Sequence, residues 1–411
     1  MPAATPIPRG PTVLALGSAA DLLTEPGCPV CRYTSEAGDR YLAWFALANH
    51  ADPGVIARLR ASLGMCPRHT RALMSQPGAA TRLTALYTYV LNTARDQLTG
   101  VARPVTRCPA CEHEAGTESR ALGTLAAGLA SGAAIRERYR EFGGLCLAHL
   151  RTAATARHQR QSRRLAPWLS ATLMSDLSAP IPDLRWLAGD HDQDAEARAV
   201  LWHALPATAA PGTGICPVCL AAARAEHRHV TRVAAASSRW EEQGHWLLCP
   251  AHLGDAAVAA GPVGLLPLLM WQADCHATQR SRRRLPGWPW QRPSSDRAAA
   301  GACAICLARD IAGQTALGEI RGRLRGTASP AGEPPATCTR HTLTLAARDP
   351  WTAPLTCPPA ARRAEQLITD LAAAPSAGGT GAGKAAVWRR AAVFLDGDVF
   401  CGCPPRLAEP R

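Results

Sequence analysis

Lysine is almost missing from this 411-residue chain: of 45 basic residues only Lys384 is a lysine, so the formal charge of +13 is carried by arginine. Aromatic residues are also scarce, at 5%, which leaves a core of small aliphatic side chains with few large anchors. No apolar run is long enough to span a bilayer. The best, Ala256 to Trp271, stops at 16 residues and contains Pro262 and Pro267, against the roughly 18 to 20 that a spanning helix needs. The apolar stretch Val13 to Leu16 is cut short by Gly17 and Ser18, so no secretory h-region is present and a cytoplasmic location is expected. Alternating strand patterns are nearly absent as well. The exception is Val393 to Phe400, where Asp396-Gly397 between apolar pairs predicts a small β-hairpin.

What the chain has in quantity is cysteine, 16 in all, together with 34 glycines and 34 prolines. In a reducing compartment disulfides are rare, which turns the cysteines toward metal. Their order is regular. Cys28-Pro-Val-Cys31 is followed by Cys66-Pro-Arg-His69, and Cys108-Pro-Ala-Cys111 by Cys146-Leu-Ala-His149. Cys216-Pro-Val-Cys219 precedes Cys249-Pro-Ala-His252, and Cys303-Ala-Ile-Cys306 precedes Cys338-Thr-Arg-His341. The first and third cysteines of the four units lie 38, 38, 33 and 35 positions apart, so one supersecondary unit recurs four times.

Three thiolates and one imidazole complete a tetrahedral Cys3His shell with no open position, the ligand set of a structural zinc ion. The spacing suggests that each Cys-x-x-Cys forms a knuckle joined by the Cys-x-x-His that follows it, in a treble-clef-like arrangement. Pro67 and Pro250, directly after cysteine, suit the first position of a helix that the cysteine caps. Between the halves of the first unit, Tyr41, Trp44, Phe45 and Ala48 recur at helical spacing. Asp52-Pro53 then caps a second helix through Ile56, Leu59 and Leu63, which Gly64 ends. The second unit repeats this with Leu122, Leu125 and Leu129, a Ser131 cap, and Ile135, Tyr139 and Phe142 before Gly143-Gly144.

On these residues the chain resembles a set of bacterial proteins, without assigned activity, that carry repeated Cys-Pro-x-Cys and Gly-hydrophobic-Cys-x-x-His motifs. The match lies in Cys28 to Cys31 with Gly64 to His69, and in Cys108 to Cys111 with Gly144 to His149. The second half departs from it at Ala304, at Thr337 and before Cys249. The resemblance implies a helical zinc-binding protein and no particular reaction.

The expected fold is therefore all-α: tandem helical repeats, each around a Cys3His zinc site, with the hairpin at the C-terminal end. The segmentation is a flexible tail (1–26), repeats 1 and 2 with connecting helices (27–175), a linker (176–212) and repeat 3 (213–280). An Arg/Trp/Pro linker (281–300), a degenerate repeat 4 (301–372) and a Gly-rich linker with the hairpin (373–411) follow.

Other chemistries are weaker. A thioredoxin-like dithiol needs a strand-helix-strand context that is missing here; an iron–sulfur cluster accepts the same ligand types. Gly378 to Ala385 has the spacing of a phosphate-binding loop, but Ala385 replaces the hydroxyl that holds magnesium and no strand precedes the glycines, so a linker is expected. Cys275, Cys357, Cys401 and Cys403 are left as ordinary thiols.

Arg157, Arg160 and Arg164 at helical spacing, and Arg282, Arg283 and Arg284 followed by Trp288 and Trp290, combine charge with stacking faces as a nucleic-acid contact would. A solvated helix face and a docked linker read the same way. Four Zn(Cys)3 sites would reduce +13 to about +9 and leave the protein basic. The sequence thus points to a non-catalytic, zinc-stabilised scaffold for a nucleic acid or protein partner, with a zinc or redox sensor as the alternative and an enzyme as a weaker one. Neither a membrane nor a small-molecule substrate is indicated.

Overall fold

The computed structural model describes residues 19–155 apart from a few loop positions, then 168–169, 172, 215–235, 248–249, 252–260, 303–326, 336–374 and 382–396. Regular structure among the described residues is helical throughout, with no strand. None of their helices is long and apolar enough to cross a membrane.

Helix α1 (Pro29–Trp44) begins directly at the first Cys-x-x-Cys: Cys28 is extended and Pro29 fills the first helical position. It passes through a π turn (Phe45–Asn49) to α2 (Pro53–Ala61), where the Asp52 carboxylate accepts from the Val55 N–H at 2.9 Å, the cap expected from Asp-Pro. The chain then reverses through two left-handed residues, Leu63 (φ 52°) and Gly64 (φ 103°), and enters α3 (Pro67–Met74) and the long α4 (Ala79–Thr99). Helix α5 (Pro109–Ser131) starts at the second Cys-x-x-Cys in the same way. Ser131 is its last residue rather than a cap, because the extended Gly132 provides the joint to α6 (Ala133–Glu141). Gly144 (φ 85°) turns the chain into α7 (Leu147–Thr155).

The second half supplies α8 (Pro217–Ala235), α9 (252–260), α10 (Ala304–Gly326), α11 (Thr339–Arg348), α12 (Ala353–Ala373) and α13 (Ala382–Asp396). Three helix pairs dominate the packing: α1 on α5, α8 on α10, and α4 on α12, with α13 lying on the third pair. Pair α1/α5 is antiparallel, since Tyr41 near the end of α1 stacks on His113 at the start of α5 (ring centroids 4.9 Å apart).

Two cores join the halves of the chain. One unites Leu83, Tyr87 and Val90 of α4 with Leu367 and Leu371 of α12 and with Trp388 of α13, where Tyr87 and Trp388 meet edge to face at 5.0 Å. The other gathers Leu122 and Leu125, Leu145 and Leu150, and Val230, Val233 and Leu253. Leu22 and Leu23 are buried in it too, so the first 26 residues are not all tail.

The first arm of the expected hairpin is corrected. Val393–Asp396, its first arm, form the last turn of α13, because Trp388, Ala391, Phe394 and Leu395 make one buried helical stripe. Residues 397–400, the rest of that segment, lie outside the described residues.

Candidate metal centres

The sixteen cysteines and histidines of the repeats meet in four groups of four, but not in the pairs that sequence proximity suggested. Site I is Cys28, Cys31, Cys146 and His149; site II is Cys66, His69, Cys108 and Cys111. Site III is Cys216, Cys219, Cys338 and His341; site IV is Cys249, His252, Cys303 and Cys306. Each Cys-x-x-Cys thus joins the Cys-x-x-His of the other unit in its half, and site II is nested inside the loop closed by site I, as site IV is inside site III.

Helix lengths give the reason. The 16 residues of α1 carry the chain about 24 Å from Cys28, whereas the 9 residues of α2 recover only about 14 Å. The first Cys-x-x-His therefore stays at the far end of α1. Antiparallel packing brings the start of α5, with Cys108 and Cys111, to that same end. The treble-clef expectation is corrected on a second count: no separate knuckle exists. The leading cysteine of all eight motifs accepts, through its carbonyl, the first N–H of a helix, as in Arg32 to Cys28, Glu112 to Cys108, Leu253 to Cys249 and Thr342 to Cys338. Two helix N-termini, each with a partial positive charge, converge on every group of sulfurs.

The geometry is that of a shell around one ion. In each site His Nδ1 lies near all three sulfurs: 3.3 to 3.4 Å in site I, 3.3 to 3.5 Å in site II, 3.1 to 3.5 Å in site III and 3.2 to 3.4 Å in site IV. Sulfur pairs stand 3.5 Å (Cys31, Cys146), 3.6 Å (Cys66, Cys111), 3.9 Å (Cys219, Cys338) and 3.7 Å (Cys249, Cys306) apart. Bond lengths of about 2.3 Å to sulfur and 2.0 to 2.1 Å to nitrogen in a tetrahedron give edges of about 3.8 and 3.6 Å. These sulfurs are free thiols, not disulfides.

The electrostatics of these groups suit a bound cation. Burial pushes the Cys31 and Cys146 thiols up, while hydrogen bonds from Cys146 and Cys31 and the His149 charge outweigh burial at Cys28 and hold it well below the thiol range. Cys303 in site IV is lowered by hydrogen bonds from Cys249 and Cys306; Cys338 in site III is lowered, against burial, by those from Cys216 and Cys219. Crowded sulfurs share little negative charge among themselves, and full ionisation of all three requires a cation between them. The imidazoles respond to the same field. Burial depresses all three of His69, His149 and His252, yet the facing sulfurs raise the first two well above the usual value, and Cys303 and Glu226 together raise His252 to about 10.

Sequence reasoning missed a set of glutamates behind the imidazoles. His69 Nε2 lies 2.9 Å from Glu114 Oε1, whose other oxygen pairs with Arg68. His252 Nε2 lies 2.8 Å from Glu226 Oε1, a carboxylate only 1% exposed, and His149 Nε2 is 3.5 Å from Glu118 Oε1. A carboxylate on Nε2 fixes the tautomer that leaves Nδ1 as the ligand atom and makes it a better donor. The sequence signal was available: Glu118 and Glu226 each follow the leading cysteine of their helix by ten positions (108 to 118, 216 to 226).

The proposed nucleic-acid contacts, Arg157, Arg160, Arg164, Arg282, Arg283, Arg284, Trp288 and Trp290, lie outside the described residues, as do Cys275, Cys401, Cys403 and Gly378–Gly381. Cys357 is buried in α12 within the core, where burial pushes its thiol up. Comparison of the chain with family models, curated proteins and solved structures gave no match.

Proposed function

We propose that each of the four groups holds one zinc ion and that the protein is a non-catalytic scaffold presenting a basic helical surface to a macromolecular partner, nucleic acid or protein. The observation that carries the metal reading is the placement of each Nδ1 within 3.5 Å of three sulfurs, one pair of which in each site lies 3.5 to 3.9 Å apart, with all four ligand atoms within 4.8 Å of one another. That spacing suits a single tetrahedral ion. A multi-iron cluster binds its cysteines on different irons and so spreads them further. Zinc has no geometric preference of its own to oppose a closed shell of three thiolates and an imidazole, and four protein ligands leave no position for a substrate or a reactive water. The ion would supply cross-linking: helix starts that carry like-charged sulfurs are held together, at on the order of 10 kcal/mol per site at neutral pH.

The scaffold reading is supported by the arginine excess, which persists after four zinc–thiolate sites are counted. Elemental analysis of purified protein should return four zinc and no iron per chain. A folded, metal-free chain would remove the proposal. For the partner, replacing Arg282, Arg283 and Arg284 with alanine should weaken binding to a mixed-sequence oligonucleotide and lower its salt dependence by up to about three phosphate contacts. Binding that is absent, or indifferent to salt, favours a protein partner.

A further inference from the structure

The four sites share ligands and geometry, yet their imidazoles are not equally supported. In the α8/α10 pair, Glu226 reaches from α8 across to His252 in site IV, the site at the start of α10. In the α1/α5 pair, Glu118 reaches from α5 across to His149 in site I, the site at the start of α1. Each pair therefore sends one carboxylate across from the tenth position after the leading cysteine of one helix. In the reverse direction that tenth position is glycine: Gly38 on α1 (28 to 38) and Gly313 on α10 (303 to 313).

The first gap is filled from elsewhere. Glu114, six positions after Cys108, occupies the space beside Gly38; a Cβ built on Gly38 would lie 2.6 Å from Glu114 Oε1. This carboxylate meets His69 of site II. The second gap is not filled by the same device, because the position six after Cys216 is Ala222. A Cβ on Gly313 would meet only Val218 Cγ1, at 3.8 Å, beside the leading cysteines of site III. Among the described residues no carboxylate lies on His341. Two arginines act on its cysteines, Arg340 on Cys338 and Arg363 on Cys216 and Cys338.

We infer that site III, formed by Cys216, Cys219, Cys338 and His341, is the exchangeable metal site of this protein, releasing and recovering one zinc ion while sites I, II and IV keep the fold. The inference rests on the reading that all four sites bind zinc. Loss of a carboxylate behind a histidine ligand typically costs 10- to 100-fold in metal affinity, enough to separate one site from three of equal ligand type. Thiol exposure alone would select a different site, since Cys249 and Cys306 of site IV are the partly exposed ligand cysteines and those of site III are buried. The two causes thus make opposite predictions about which ion leaves first.

The test uses zinc-loaded full-length protein and a chromogenic zinc chelator in excess, with the released metal followed in time. The expected course is one fast equivalent followed by three slow ones. Cys219→Ser should remove the fast equivalent and Cys306→Ser a slow one. Gly313→Glu, which returns a carboxylate to the empty position, should slow the fast phase about tenfold. Gly313→Ala, with at least as large a gain in helix propensity but no carboxylate, should leave it unchanged, and thermal stability of the other three-quarters of the fold should move little in either. A chain that binds no zinc overturns the four-site reading itself. Four zinc ions leaving in a single phase, a fast phase deleted by Cys306→Ser, or equal rates in Gly313→Glu and Gly313→Ala overturn this inference and leave that reading standing.

Discussion

Cys31 and Cys146, 115 residues apart, hold their sulfurs 3.5 Å from each other, while the Cys-x-x-His nearest to Cys31 in sequence serves another site. The pairing of motifs is therefore crossed within each half of the chain, and the crossing can be measured.

Cys31→Ser and Cys146→Ser each remove one ligand of the same ion. The double variant should bind three zinc ions, as each single variant does. Combining Cys31→Ser with Cys66→Ser should leave two. Mass spectrometry under native conditions reads the count; two ions in the first pair and three in the second would reinstate pairing between neighbours in sequence.

Zinc removal should melt the helices rather than loosen them locally. All four sites join helix starts, and the α1/α5 and α8/α10 pairs have sites at both ends. A strong chelator should collapse the far-ultraviolet helical signal as the three slowly released ions leave, and added zinc should restore it. Retention of full helicity without metal would show that the apolar cores suffice.

Gly144 has φ 85°, and a Cβ there would lie 2.6 Å from the Tyr139 ring, whose hydroxyl accepts from the Leu145 N–H at 2.7 Å. Gly144→Ala combines a strained backbone with a clash next to Cys146. A loss of about 2 to 4 kcal/mol is expected in denaturant unfolding, against about 1 to 2 for Tyr139→Phe, which forfeits only the buried hydrogen bond.

Trp388 is 1% exposed and packs on Tyr87, holding α13 to α4. Trp388→Ala should cost about 3 to 5 kcal/mol. The change should leave four zinc ions bound, which separates core damage from site damage.

Much of this arrangement was legible beforehand. Cys-Pro marked the helix starts, because proline fits the first helical turn and cysteine the extended position before it. Asp52-Pro53 and Gly64 fixed the limits of α2 through a cap and a left-handed turn. The pairing of motifs was not legible, since four equivalent half-sites at similar spacing carry no local preference. Only the unequal lengths of α1 and α2, and the packing of α1 on α5, decide it. Asp396-Gly397 misled because a hairpin signal two residues wide competes with the buried stripe of Trp388, Ala391, Phe394 and Leu395, and burial wins. Glu114 escaped notice for a related reason: its value lies in the vacancy at Gly38 on another helix, which no single-helix pattern displays.

The nesting of site II inside site I also sets an order of events at the ribosome. Cys28 and Cys31 emerge first but wait for Cys146, 115 residues behind Cys31, which at about 5 to 20 residues per second is a delay on the order of ten seconds. Cys66, His69, Cys108 and Cys111 are all translated within that interval. The inner set of ligands is therefore complete before the outer one. Throughout that time the leading dithiol of the nascent chain is open to oxidants and to the wrong partner, a hazard that the third Cys-x-x-Cys meets again as it waits for Cys338.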